Sequence, residues 1–267
     1  MPDRMTRREY LDEYWDYEPG QHVLIVAPTG AGKSYLAWQL LEKSMELNPH
    51  LKTVVFMPKP RDATTHTNAV RLGLKETPVW PPKKNIFQSK PRGHVLWPQQ
   101  DPKATAEARR AGVGAELNKG LNAQYWGGNS ISFIDDAHSA ATMMNMNSLI
   151  EETLTNGRAN GSGLFIATQK PSGTLQSGGL TSFAWGSASK MAFSRDNDER
   201  NLERLSEIGA GTDPKELREI IRNLEVFNIN GQNVGEFLMI DRAGPYYTRL
   251  LPWLCLGSHK QKYNELH

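Results

Sequence analysis

Only one cysteine, Cys255, occurs among the 267 residues. A lone thiol cannot close an internal disulfide or build a cysteine-based zinc site, and it suits a reducing compartment. Long apolar runs are also missing. The nearest candidate, residues 250–256, falls far short of the roughly 20 residues that a membrane-spanning helix needs. The opening Met-Pro-Asp-Arg-Met-Thr-Arg-Arg has no apolar stretch of the signal-peptide kind. These absences lead us to expect a cytoplasmic protein without a membrane span. Net charge is nearly absent too, at +2. The chain is therefore no generic polycation, and any contact with nucleic acid must come from local patches. The histidines show no metal-ligand spacing, and no internal repeat or low-complexity tract is present.

The most informative stretch is Ala27-Pro28-Thr29-Gly30-Ala31-Gly32-Lys33-Ser34. It follows the apolar run Val23-Leu24-Ile25-Val26 and leads into a helical pattern over residues 35–45. Strand, glycine-rich turn and helix in that order are the context of a phosphate-binding loop. Gly30 and Gly32 let the backbone curl so that successive N–H groups of the loop, which runs from Pro28 to Tyr35, point inward at phosphate oxygens. The helix start adds unpaired N–H groups and a partial positive charge. Lys33 reaches the β- and γ-phosphates, and the Ser34 hydroxyl is placed to hold Mg²⁺. Ala27 stands where the strict pattern has its first glycine, a departure that the relaxed motif permits. The expected ligand is ATP with Mg²⁺.

Along the chain, strands and helices alternate, which implies an α/β fold with a mostly parallel sheet flanked by helices. Residues 1–20, charged and aromatic, read as a short N-terminal helical extension ended by Gly20. Strands are expected at 53–57, 93–97, 131–134, 163–167 and 190–193. Helices are expected at 102–125, 148–156, 197–208 and 214–223. Residues 58–94 hold six prolines and little periodicity, and read as an irregular basic insertion in an ATPase domain spanning 21–250. Residues 225–230 and 236–240 read as a hairpin around Asn230-Gly231, giving antiparallel strands at the C-terminal edge, before a tail at 251–267.

The run Ile131-Ser132-Phe133-Ile134 ends in Asp135-Asp136. A carboxylate there can meet the Mg²⁺ held by Ser34 (Asp135), and its neighbour can orient or deprotonate an attacking water (Asp136). The other reading is a turn that caps the next helix. Gln169 ends the run Phe165-Ile166-Ala167-Thr168, where its amide can bond a γ-phosphate or simply close a strand. His138 is a weaker candidate base.

The phosphate loop, Phe133-Ile134-Asp135-Asp136, Asn156-Gly157-Arg158-Ala159-Asn160-Gly161 and Ile166-Ala167-Thr168-Gln169-Lys170-Pro171-Ser172 together resemble the FtsK/HerA superfamily of DNA-pumping ATPases. The resemblance spans about residues 20–240 and rests on these four segments. It implies a RecA-like P-loop NTPase core. In it Lys33 and Ser34 form the Walker A pair, Asp135 is the Walker B aspartate and Gln169 the γ-phosphate sensor. Asp136 falls where the family has glutamate. Arg158 falls where related motors place an arginine finger that reaches a neighbouring subunit; a solvated helix-end arginine is the alternative, with Arg195 and Arg200 in reserve. It also implies a homo-oligomer, typically a hexameric ring on double-stranded DNA. A core of this size resembles viral genome-packaging or plasmid-mobilisation ATPases, with a capsid portal or other docking protein as partner, in host cytoplasm or virion if viral.

Two segments are candidate DNA contacts. Residues 59–92 hold eight basic side chains (Lys59, Arg61, Arg71, Lys75, Lys83, Lys84, Lys90, Arg92) against Asp62 and Glu76, with Trp80 and Phe87 between them. Such cations suffice for phosphate contacts. Residues 170–179, with Lys170 and three glycines, are a candidate pore-facing element. The function expected is ATP-driven translocation of duplex DNA. A DNA-independent ATPase switch supporting protein assembly or secretion is the alternative of a different class.

Overall fold

The computed structural model describes residues 3–83, 91–169, 171, 186–207, 213–229, 231–242 and 247–252. The runs of apolar residues become strands buried on both faces: β2 (Val23–Val26), β3 (Lys52–Phe56), β6 (Ser130–Asp135), β7 (Ser162–Thr168) and β8 (Lys190–Ser194). Continuous apolar runs are the signature of parallel strands covered on both sides. The outer parts of the sheet are β5 (Gly93–Leu96), β11 (Phe237–Asp241) and β12 (Tyr247–Leu250), with β4 (Leu74–Thr77) and β1 (Asp3–Met5) at its two edges. The ten strands form one sheet in the order β4-β5-β3-β6-β7-β2-β8-β11-β12-β1. From β4 to β8 every pairing is parallel, and β11 then runs antiparallel to both β8 and β12.

Helices cover both faces. α1 (Arg7–Glu13), α2 (Lys33–Leu47) and α3 (Ala63–Arg71) pack with Val23, Ile25, Val55 and Phe165 on one side. On the other, α4 (Ala106–Gly127), α5 (Asn147–Asn156), α6 (Glu199–Glu207) and α7 (Pro214–Arg222) pack with Leu24, Val26, Ile134 and Ile166. Alternate residues of β2 thus feed opposite cores, as the two-residue period of a strand requires. β9 (Val226–Ile229) and β10 (Gln232–Gly235) form a separate antiparallel hairpin.

Several expectations need correction. The first twenty residues are not one helix ending at Gly20. β1 pairs with β12, and α1 is only seven residues long, opened by the reciprocal Thr6–Glu9 capping box and finished at Tyr14. Trp15 and Tyr17 then pack their rings on Phe165. Nor is 58–94 simply irregular. Asp62 accepts a hydrogen bond from the Thr65 N–H and starts α3, and β4 joins the main sheet through β5. The hairpin partner of β9 is β10, while the apolar residues 237–241 are drawn into the main sheet, where Phe237 and Leu238 are fully buried.

The hairpin is anchored by a buried carboxylate. Glu236 accepts from Arg4 Nε, from Arg249 Nη2 and from the Glu225 N–H. Such a carboxylate persists in the interior only because its partners replace its hydration.

His22, just before β2, is 1% exposed and neutral: its Nδ1 accepts from the Leu164 N–H at 3.1 Å. Burial, aided by the charge of Arg158, pulls its pKa down to about 4. The unfolded chain takes up this proton near ~6.5. Between those values the unfolded state binds more protons. This group's contribution is therefore complete above the window and is lost as pH falls through it. From pH 7 to 5 the imidazole alone is expected to cost about 2 kcal/mol. Urea unfolding at both pH values tests this, since His22→Gln should lose clearly less between them than the native chain. Equal losses would assign the acid sensitivity elsewhere.

A candidate nucleotide-binding site

At the C-terminal end of β2 the chain turns through Pro28–Ala31 into α2. Gly30 and Gly32 take φ of 84° and 85°, a region that a Cβ makes costly. Pro28, Thr29 and Gly30 are exposed, and Ala31 is buried beneath the turn. Helices α1, α3, α4 and α7 are each capped by a side chain (Thr6, Asp62, Thr105 and Asp213). The N-terminus of α2, capped by Gly32, has none. Its N-cap glycine has no side chain to take up the first N–H groups, and a helix start without such a cap is a ready place for phosphate. Lys33 opens the helix, and Ser34 and Tyr35 follow in its first turn, all three half-buried.

The acidic pair closes the site from one side. β6 is separated from β2 by β7, and register places Asp135 opposite Ala167 and Val26 opposite Thr168. Asp135 is 2% exposed, and the Ser34 hydroxyl donates toward its two carboxylate oxygens at 3.1 and 3.3 Å. Burial pushes this carboxyl up from its ordinary range, against the pull of Lys59, Lys33 and the Ser34 hydroxyl. Burial pushes Lys33 down, while Asp135 pulls it back. Serine and carboxylate oxygens are hard donors that suit Mg²⁺. No group of three His, Cys, Asp or Glu among the described residues forms an all-protein cage. One or two protein ligands completed by phosphate oxygens and water are the usual Mg²⁺ arrangement, so the residues present fit the ion.

Asp136 has φ of 71°, a left-handed conformation that a short polar side chain tolerates. Its Oδ1 accepts from the Ser139 N–H at 3.3 Å and so caps the π-helical turn Ser139–Met143. The carboxylate that caps this turn also follows Asp135 directly and, like it, lies near Lys59 Nζ. Gln169 leaves the end of β7 between the phosphate loop and the acidic pair, with its side chain exposed. These residues, from Pro28 to Ser34 with Asp135, Asp136 and Gln169, come together.

Arg158 does not join them. It is exposed on the 3-10 turn Gly157–Asn160, which precedes β7. The seven residues of β7 separate that turn from Gln169, about 20 Å at 3.3 Å per residue. An arginine there is out of reach of its own phosphate loop.

Other groups at the site were not expected there. Lys59 Nζ lies 3.9 Å from Asp135 Oδ2 and 4.0 Å from Asp136 Oδ2, although the sequence placed it with candidate DNA contacts. On the opposite flank, the hairpin meets the loop: the Gly235 N–H donates to the Ala31 carbonyl, and a Cβ on Gly32 would sit 3.0 Å from Val234 Cγ1. Between them opens a cavity of about 840 Å³ lined by Pro28, Thr29, Gly30, Arg195, Asn197, Val226 and Asn233. Arg195, held in reserve as a finger, thus lines the same subunit's cavity. Only the position of Lys59 just past a strand end, beside the acidic strand, could have signalled its place.

The basic stretch is partly committed elsewhere. Arg71 pairs with Glu42 at 2.5 Å, and Trp80 packs against the core and edge-on to His94. Arg61, Lys75, Lys83 and Arg92 are exposed. Lys84, Phe87, Lys90, Lys170 and residues 172–179 lie outside the described residues, as does Cys255. No helix among the described residues is long and apolar enough to cross a membrane.

No protein-family model and no curated protein sequence matches the chain. Solved structures share its fold. The genome packaging NTPase B204 from Sulfolobus turreted icosahedral virus 2, in complex with AMPPCP, aligns with a TM-score of 0.54 at 15% identity, over 89% of this chain and 100% of B204. The B204 DNA-packaging ATPase of Sulfolobus Turreted Icosahedral Virus gives 0.52 at 16%, over 88% and 99%. The pCW3 conjugation coupling protein TcpA, in its monomer form with ATPgS, gives 0.50 at 13%, over 92% of this chain and 64% of TcpA. At these identities the likeness is one of fold, and that fold is the α/β, RecA-like P-loop NTPase core.

Proposed function

We propose that this chain is an Mg²⁺-dependent ATPase that drives double-stranded DNA as a homo-oligomeric ring, in genome packaging or DNA transfer. The observation that carries the ATPase half is the uncapped start of α2 faced by Asp135, with Ser34 Oγ at 3.1 Å. The DNA half is supported by fold neighbours described as a genome packaging NTPase and a conjugation coupling protein.

In this reading the loop N–H groups and Lys33 bind the β- and γ-phosphates, and the 840 Å³ cavity receives the base and ribose. Ser34 and Asp135 hold Mg²⁺, which when bound neutralises charge on the phosphate oxygens. Asp136 orients the attacking water and accepts its proton, held in aim by the Ser139 N–H. Gln169 hydrogen-bonds the γ-phosphate or that water, and its place between loop and carboxylates suits either. Arg158 acts on the site of a neighbouring copy. A head-to-tail contact of this kind closes into a ring when the rotation allows. The exposed Arg61, Lys75, Lys83 and Arg92 supply phosphate contacts to DNA.

Steady-state ATP hydrolysis with and without long duplex DNA, at low and moderate salt, tests this. Turnover should rise several-fold with duplex, and the DNA concentration needed should climb steeply with salt. Hydrolysis indifferent to DNA would replace the motor with a nucleotide-gated protein switch. No hydrolysis under any condition would remove the ATPase reading.

A further inference from the structure

The segment that follows β3 is Met57-Pro58-Lys59-Pro60. Prolines fix φ at 58 and 60 and bias the residues before them, Met57 and Lys59, toward extended backbone. Tertiary hydrogen bonds then clamp it. The Met57 N–H donates to the Leu96 carbonyl at 3.1 Å, Trp97 Nε1 to the Lys59 carbonyl at 2.7 Å and Gln100 Nε2 to the Pro58 carbonyl at 3.3 Å. The backbone of Lys59 is therefore held in place, while its four-carbon stem is partly exposed and long enough to take other rotamers. Its ammonium stands within 4.0 Å of both carboxylates, and no other Lys or Arg does so among the described residues. The side chain is 38% exposed, so it reaches into the open side of the site.

Charge balance says what such a group is for. Lys33 and Lys59 offset Asp135 and Asp136, so these four side chains together are close to neutral. A divalent cation held by Asp135 would compete with Lys59 for that carboxylate. The nearest new anion in that arrangement is the terminal phosphate, because the Lys59 segment approaches the site from the acidic strand's side and the base-side cavity lies on the other flank. A flexible ammonium follows the strongest local negative charge.

We propose that Lys59 is a second cation for the γ-phosphate, which stands by the carboxylate pair and turns onto the terminal phosphate when Mg·ATP binds. This rests on the ATPase reading and deepens it, since a cation specific to the γ-phosphate makes the site discriminate ATP from ADP. It also takes Lys59 out of the DNA-contact set.

Equilibrium titration of ATPγS and of ADP, each with Mg²⁺, tests the exchange without requiring turnover. Lys59→Met keeps the stem and removes the charge. It should weaken ATPγS by about tenfold, the size of one charge-assisted contact, and ADP by less than about twofold on the same grounds. Lys59→Arg should retain most of the preference for ATPγS. Equal loss of both ligands, or of neither, would overturn the proposal while leaving the ATPase reading intact. An unchanged nucleotide preference with a shallower salt slope of DNA binding would return Lys59 to the DNA contacts. If the native chain bound neither nucleotide, the ATPase reading would fall and take this inference with it. A circular-dichroism melt that matches the native chain shows that each variant is folded.

Discussion

Lys33→Ala is expected to lower ATP turnover on the order of 10³-fold while leaving the fold intact. Lys33 opens α2 at the point where the uncapped helix N–H groups converge, and it is the cation that the loop itself contributes. Burial pushes its pKa down, but the neighbouring Asp135 opposes that shift and supports the charged form that a phosphate needs. In the transition state, charge spreads over the oxygens of the transferred phosphoryl group, so a preorganised ammonium acts there more strongly than on bound substrate. The expected signature is a collapse of kcat at saturating ATP. Stability should change little, because Lys59 still stands within 4.0 Å of both carboxylates and keeps Asp135 from being a buried charge alone. Normal turnover by a folded Lys33→Ala protein would remove the phosphate-loop assignment altogether. Unfolding, by contrast, would show that Lys59 cannot compensate for the lost charge.

The parts of this site legible in the sequence are those where one short stretch contains its own geometry. Gly30, Gly32, Lys33 and Ser34 are contiguous. Asp135 and Gln169 each close a strand apolar enough to be read as buried on both faces, and parallel strands bring their C-terminal ends to one edge. Lys59 carried only the faint signal of lying just past a strand end, because its placement depends on β3 lying beside β6, a pairing between residues almost eighty positions apart. The sequence around it reads only as proline and positive charge. The same logic explains the misplaced strands. β4 is Leu-Lys-Glu-Thr on a sheet edge, without an apolar run to announce it. β1 is three residues long and exists because β12 offers it a partner at the far end of the chain. The residues 237–241 were apolar enough to be a strand, but their neighbour was decided by burial against β8 rather than by the nearest turn. Local propensity placed β9 correctly and left its partner to tertiary context.

Arg158→Ala is expected to reduce ATP turnover by about 10³-fold or more, the range seen when an arginine finger is removed. The loss should be repaired by mixing subunits. The prediction follows from position. Arg158 lies on the turn before β7, the phosphate loop at the other end of the sheet, and about 20 Å of strand separates them. An arginine side chain spans roughly a third of that, so within one copy it does nothing to the phosphate. The turn is held against the protein rather than loose. A Cβ on Gly20 would meet the Arg158 carbonyl at 2.8 Å, and the Gly161 N–H donates to that same carbonyl at 3.1 Å. A rigid backbone with an exposed guanidinium is what an in-trans contact requires, because little ordering entropy is lost when a neighbour docks. In Arg158→Ala the phosphate loop, Asp135 and Asp136 remain complete. In Asp136→Asn the finger remains complete. Each homo-oligomer should be nearly inactive, and mixed rings should regain activity at interfaces where a native Arg158 meets a native Asp136. Recovery should peak near equal amounts and vanish on dilution below the assembly threshold. Full activity in Arg158→Ala would make the residue a solvated turn arginine. Inactivity without recovery at any ratio, with assembly intact, would place its effect within its own subunit. That would turn attention to Arg195, which lines the cavity beside the loop.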